Sequence, residues 1–140
     1  MSPQAVLLPL LVQVALTFGL GFWMAARRVR AIRSGEVRPR DIALREPNWP
    51  KQLMQLQNAL SNQLELPVLF YVLTILALFT QTADLAFVAL AWLYVALRLV
   101  HAYIHVTHNR VPRRGMVFIA SSIVLCVMWI AFAVRLFVTA

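Results

Sequence analysis

Tyr94, Arg98, His101, His105 and His108 lie inside one otherwise apolar stretch of the chain that begins near Leu85. At the 100° step of a helix these five side chains fall within an arc of roughly 80°, so they share one face. A guanidinium there can hold an anion, and imidazoles can move protons or ligate a metal. Three imidazoles spaced i, i+4 and i+7 invite the metal reading. No cysteine and no second carboxylate completes that shell, so no metal is expected, and polar contacts at a pocket mouth or interface are the alternative. Lipid is excluded as the partner of this face. An ionised arginine near mid-membrane costs at least roughly 2.5–3.5 kcal/mol, so such residues turn to a bundle interior or a wet cavity.

A second polar face precedes it. Asn58, Asn62 and Glu65 are spaced i, i+4 and i+7 on one helix side, and Pro67 follows closely enough to kink the helix or loosen its hydrogen bonds. Glu65 lies about 18 Å into its helix and Arg98 about 15 Å from the exit of its own, counting 1.5 Å per residue. The matching depth predicts a buried Glu65–Arg98 ion pair in which each charge offsets the other's desolvation. Two roles remain open for it. The pair either fixes helix register or floors a polar pocket walled by Asn62, His101, Tyr94 and loop arginines.

The elements that carry these faces are membrane helices. Hydrophobic residues make up 61% of the 140 and charged residues 13%, well below the roughly 25% of a soluble domain. Four apolar runs, about 3–26, 53–79, 85–108 and 114–138, are each long enough to cross a hydrocarbon core of about 30 Å. The fold class expected is all-α, a single integral membrane domain of four helices. No basic residue precedes the first run and four arginines follow it, so it reads as a helix that stays and not as a signal peptide.

Of thirteen basic residues, eight lie between the first and second runs and three between the third and fourth. The positive-inside rule then puts the basic loop, about 27–52, and its shorter counterpart in the cytoplasm, with both termini opposite. Topology and anionic headgroups account for the net charge of +8, and no nucleic-acid partner is expected. Trp23 and Trp49 flank the long loop as interfacial anchors. Ala15 and Gly19 offer a small step for close helix approach. Cys126 is the single cysteine, which excludes an internal disulfide and leaves a structural thiol. Arg135, near the far end of the last run, is expected to snorkel to headgroups.

Three stretches together resemble a known family: Asn58-Ala-Leu-Ser-Asn62-Gln-Leu-Glu65-Leu-Pro67-Val-Leu-Phe70-Tyr71, then Arg98-Leu-Val-His101-Ala-Tyr103-Ile-His105, then Asn109-Arg110-Val-Pro112-Arg113-Arg114-Gly115. The Asn-x-x-Glu followed by Pro, the Arg-x-x-His, the chain length and the long basic loop are similar to those of the MAPEG family, membrane-associated proteins in eicosanoid and glutathione metabolism. The resemblance implies a homotrimer with glutathione bound between subunits as cofactor. It implies that Arg114, with Arg113 as the fallback, lowers the glutathione thiol pKa, and that Asn62, Glu65, Arg98, His101 and His105 contact or organise the cofactor. His105 stands where some members carry a tyrosine, and Gly115 where some carry a hydroxyl residue. Between Glu65 and Pro67 only Leu66 intervenes, where members often have two residues.

The activity implied is that of a glutathione transferase or peroxidase acting on small lipophilic electrophiles. Its chemical needs match the residues: guanidinium forks for two carboxylates, a carboxylate for an amine, and a cation near sulfur. Two alternatives stand beside it, a non-catalytic membrane scaffold of the same fold and a small proton-coupled exporter using Glu65. Short loops and arginine-rich inner segments suit a bacterial inner membrane.

Overall fold

The computed structural model describes residues 1–139. Among these residues are five α-helices, α1 (Pro3–Arg33), α2 (Lys51–Gln63), α3 (Leu66–Phe79), α4 (Leu85–Val106) and α5 (Val111–Val138), with a short 3-10 turn at Pro39–Asp41 between the first two. Because α2 and α3 follow one another across a short break, four helical segments are long and apolar enough to cross a membrane. The protein is an integral, multi-pass membrane protein of all-α class.

Local chemistry sets where four of these helices start, α1, α3, α4 and α5. The Ser2 hydroxyl accepts from the Ala5 amide at 3.3 Å and the Asp84 carboxylate from the Phe87 amide at 2.9 Å, each satisfying a donor that has no partner within the first helical turn. Proline occupies the first turn of α1, α3 and α5, where its missing N–H costs nothing. At 31 residues, α1 runs roughly 46 Å at 1.5 Å per residue. It therefore outlasts the hydrocarbon core, and Arg27, Arg28, Arg30 and Arg33, expected in the loop, ride on its protruding end. Gly35 ends it with φ +78°, the left-handed turn for which glycine has no steric penalty. The chain folds back there, and Val37 donates to Ala31 O at 3.3 Å and is buried.

The second span is divided where a kink was expected. α2 stops at Gln63, Glu65 adopts φ −95° and ψ −110°, and Pro67 falls in the first turn of α3. A proline there lacks no helical hydrogen bond of its own, and the helix restarts in front of it instead of bending around it.

Helix α4 is the centre of the bundle and packs against α1, α2 and α5. Two apolar clusters form the core. One, toward the termini, gathers Val6, Phe70, Leu73, Phe87, Tyr94, Leu125 and Met128. The other, toward the basic loop, gathers Leu20, Leu53, Leu56, Ala59 and Ala102. Between them, at the level of Gln13 on α1, Gln63 on α2 and Arg98 on α4, the core is polar.

Two expectations change here. Arg135 does not simply reach for headgroups: its guanidinium pairs with Asp84 at 2.5 Å and donates to Thr82 O at 3.0 Å, tying the end of α5 to the start of α4. Ala15 and Gly19 face outward, and no atom lies within 4 Å of a Cβ placed on Gly19. Their small size serves no contact within the chain.

Candidate functional site

The stripe on α4 faces the bundle, as the cost of charge in lipid demands. Tyr94, Arg98, His101 and His105 are all buried, and Arg98 is wholly enclosed. His108 lies past the end of α4, exposed, with its Nδ1 accepting from the Arg110 amide at 3.3 Å. Among the described residues no group of His, Cys, Asp and Glu comes together in a way that could hold a metal ion.

Arg98 does not pair with Glu65. Its Nη2 donates to the Asn62 side-chain oxygen, to Asn62 O at 3.3 Å and to Gln63 Oε1 at 3.3 Å. Gln63 Oε1 also accepts from Gln13 Nε2 at 2.8 Å, and Gln63 Nε2 donates to Ala59 O at 3.1 Å. A charge inside the membrane is thus compensated by amide dipoles and one backbone carbonyl. The expected depth is right and the expected partner is not. Glu65, one turn beyond Asn62, is exposed at the α2–α3 break and acts on Arg98 only through space. The break rotates Glu65 away from the direction that a continuous helix would give it.

The Arg98 network is incomplete. Its Nε and Nη1, the Tyr94 hydroxyl and Nδ1 of both His101 and His105 are buried without a hydrogen-bond partner. Unpaired polar groups at this depth are costly, so a run of them along one helix face is where water or a polar ligand is to be sought.

At the basic-loop end, α4 hands over to α5. Asn109 takes a left-handed φ of 48° and donates its amide to Ile104 O at 2.8 Å. Its side-chain oxygen accepts from Arg114 Nη1 at 2.5 Å, so the turn that ends one helix also aims the second arginine of the next. Arg114 is half-buried at the start of α5, on the helix face that carries Phe118. One turn on, Phe118 packs against His101 with ring centroids 5.9 Å apart, and the two imidazoles meet edge to face at 5.5 Å. Arg113 is exposed, and its side chain makes no hydrogen bond. Of the two adjacent arginines, the geometry brings Arg114 to the histidines.

Reading by face alone overlooked Gln13, Gln63 and the role of Asn109. Gln13 had a signal, being the one amide in the interior of the long apolar run of α1, well past Gln4 at its start. Gln63 had a weaker one, since it falls beside Asn62 and off the Asn58–Asn62–Glu65 face. Asn109 was quoted in a motif, but its part in holding Arg114 depends on the turn.

With this geometry in place, comparison with known proteins gives one match. A sequence model described as the MAPEG family matches residues 6–134. No curated protein and no solved structure matches the chain.

Proposed function

The chain belongs to the MAPEG family, and from that premise we propose that it is a glutathione-dependent transferase or peroxidase acting on small lipophilic electrophiles, assembled as a homotrimer. The observation that carries this reading is the presentation of Arg114. It is half-buried at the start of α5, held at 2.5 Å by Asn109, and beside a pair of buried histidines with unpartnered ring nitrogens.

Glutathione, when bound, supplies a thiol whose ionised form is the nucleophile. A free thiol has a pKa of about 8.5, so at pH 7 only a few per cent is ionised, and each unit of depression by a cation corresponds to about 1.4 kcal/mol. Arg114 is suited to that task because a guanidinium stays protonated when half-buried. The Glu65 side chain is exposed and makes no hydrogen bond, a carboxylate available to an ammonium group. Asn62 is half-buried with its oxygen taken by Arg98, which leaves its amide N–H groups to donate. Arg98 is a positioning residue in this scheme, since it is enclosed and fixes Asn62 at the end of α2. His101 and His105 line the approach to Arg114, and their unpartnered nitrogens can take or return a proton. Arg113, exposed beside Arg114, is at hand for a second carboxylate. Exposed apolar side chains on the spans give the electrophile a lipid-side route, and the basic loops are assigned to the cytoplasmic side of a bacterial inner membrane.

The test is equilibrium binding of glutathione to detergent-purified protein at pH 7, following thiolate absorbance, for wild type and Arg114→Ala. Saturable binding with a thiolate signal that disappears in the variant is the expected result. No binding to folded wild type at millimolar glutathione overturns the enzyme and leaves the scaffold or the exporter.

A further inference from the structure

We infer that the cavity between the end of α1, the start of α2 and the loop that joins them binds the phosphodiester headgroup of an acidic glycerophospholipid. This cavity of about 400 Å³ is separate from Arg114, Glu65 and the histidines, none of which lines it.

Its polar wall is built around Arg28. That guanidinium donates to Gln57 Oε1 at 2.6 Å and lies 4.8 Å from the centre of the Trp49 ring. Its Nε is enclosed without a partner. Stacked and bonded on one side, Arg28 keeps its orientation at little further entropic cost, the preorganisation that a phosphate oxygen needs. Arg45 joins it from the loop, in a left-handed conformation with φ 63° and its amide donating to Ile42 O at 3.3 Å.

The wall also contains a carboxylate, Glu46, with one oxygen accepting from the Leu44 amide at 2.9 Å. Two guanidiniums and one carboxylate leave a single positive charge, which one phosphodiester neutralises. Asn58 and Ser61 are in the wall for a headgroup's hydroxyls.

The floor is of different character. Met24 lies one turn below Arg28 on α1, and Leu60 and Leu64 lie deeper along α2. Leu64 is 62% exposed, so the apolar floor runs out onto the membrane-facing surface. Trp49 and the 85% exposed Leu44 mark the rim as interfacial. Along the membrane normal the cavity therefore passes from guanidinium to hydrocarbon over a few turns, the same order as phosphate and acyl chain in a lipid. A soluble phosphate ester would leave that floor uncovered.

The experiment is native mass spectrometry of the full chain released from neutral detergent, titrated with phosphatidylglycerol or with phosphatidylcholine of the same acyl chains. Wild type is expected to retain phosphatidylglycerol in preference to phosphatidylcholine. Arg45→Gln, on an exposed loop away from the core, and Arg28→Gln are each expected to lower that retention by about tenfold, the loss of one charge-assisted contact. Arg30→Gln with Arg33→Gln, on the exposed face of the same helix end, removes more charge and is expected to leave retention unchanged. Equal loss in that control overturns the site in favour of diffuse attraction. Displacement of the lipid by glycerol 3-phosphate overturns it in favour of a soluble ester, and displacement by glutathione would make the cavity part of a thiol-peptide site. Persistence of the lipid against both, whether or not glutathione binds elsewhere, supports it.

Discussion

Arg98 Nη2 lies 3.3 Å from Gln63 Oε1, and that one oxygen also accepts from Gln13. A single amide therefore links α1, α2 and α4 at the level where the apolar core is interrupted. Such a network specifies register, because sliding any helix by a residue leaves an arginine unpaired in the membrane.

Gln63→Leu should expose that dependence. The substitution strips an acceptor from Arg98 and leaves the Gln13 amide unpaired, at a cost of about 1–3 kcal/mol. Thermal unfolding in detergent is expected at clearly lower temperature than wild type, whereas Gln63→Glu, which keeps an acceptor for both, is expected to lose less. An unchanged midpoint in Gln63→Leu would mean that the network carries no stability.

Glu65→Gln separates fold from function. Because the carboxylate is exposed and unpaired, stability is expected to stay within about 0.5 kcal/mol of wild type. Glutathione affinity is expected to fall by about tenfold or more, since a charge-assisted contact to the ammonium becomes a neutral one. Calorimetric titration of both proteins reads the two numbers, and equal affinities would remove Glu65 from the proposed site.

Gly115→Ser restores a hydroxyl beside Arg114 without steric conflict, as no atom lies within 4 Å of a Cβ at that position. Serine is also the better helix former, by a few tenths of a kcal/mol. The variant is expected to be at least as stable as wild type, with a larger thiolate absorbance at saturating glutathione. A smaller signal would show that the hydroxyl does not reach the sulfur.

The clasp between Asp84 and Arg135 predicts an acid dependence. The guanidinium bonded to the carboxylate holds Asp84 below its ordinary value of 3.8, aided by the Phe87 amide. With the folded value lowered, the stabilisation is fully present above pH 3.8 and is lost as pH falls through the folded value. Both side chains are more than a third exposed, so the contribution is small, about 1 kcal/mol at most after solvent screening. Unfolding midpoints of wild type and Asp84→Asn should differ at pH 6 and converge toward pH 2. A gap that persists at pH 2 would assign the effect to the helix cap alone.

The primary structure determined four membrane spans, the two polar faces, and the level at which they meet. These follow from run length, helical periodicity and the cost of charge in lipid, none of which needs a neighbour to be known. Family membership was legible for the same reason, in short motifs at fixed spacing. Partner choice was not. Whether Arg98 takes Glu65, Asn62 or Gln63 turns on a helix break at Leu64 and Glu65 that moves one carboxylate outward and leaves two amides inward, and on Gln13 arriving from a helix fifty residues away. Equally, only the turn at Asn109 decides that Arg114 and not Arg113 faces the histidines. A periodic pattern specifies a face, but a hydrogen bond needs atoms placed to within a few tenths of an ångström, and packing between helices sets that placement.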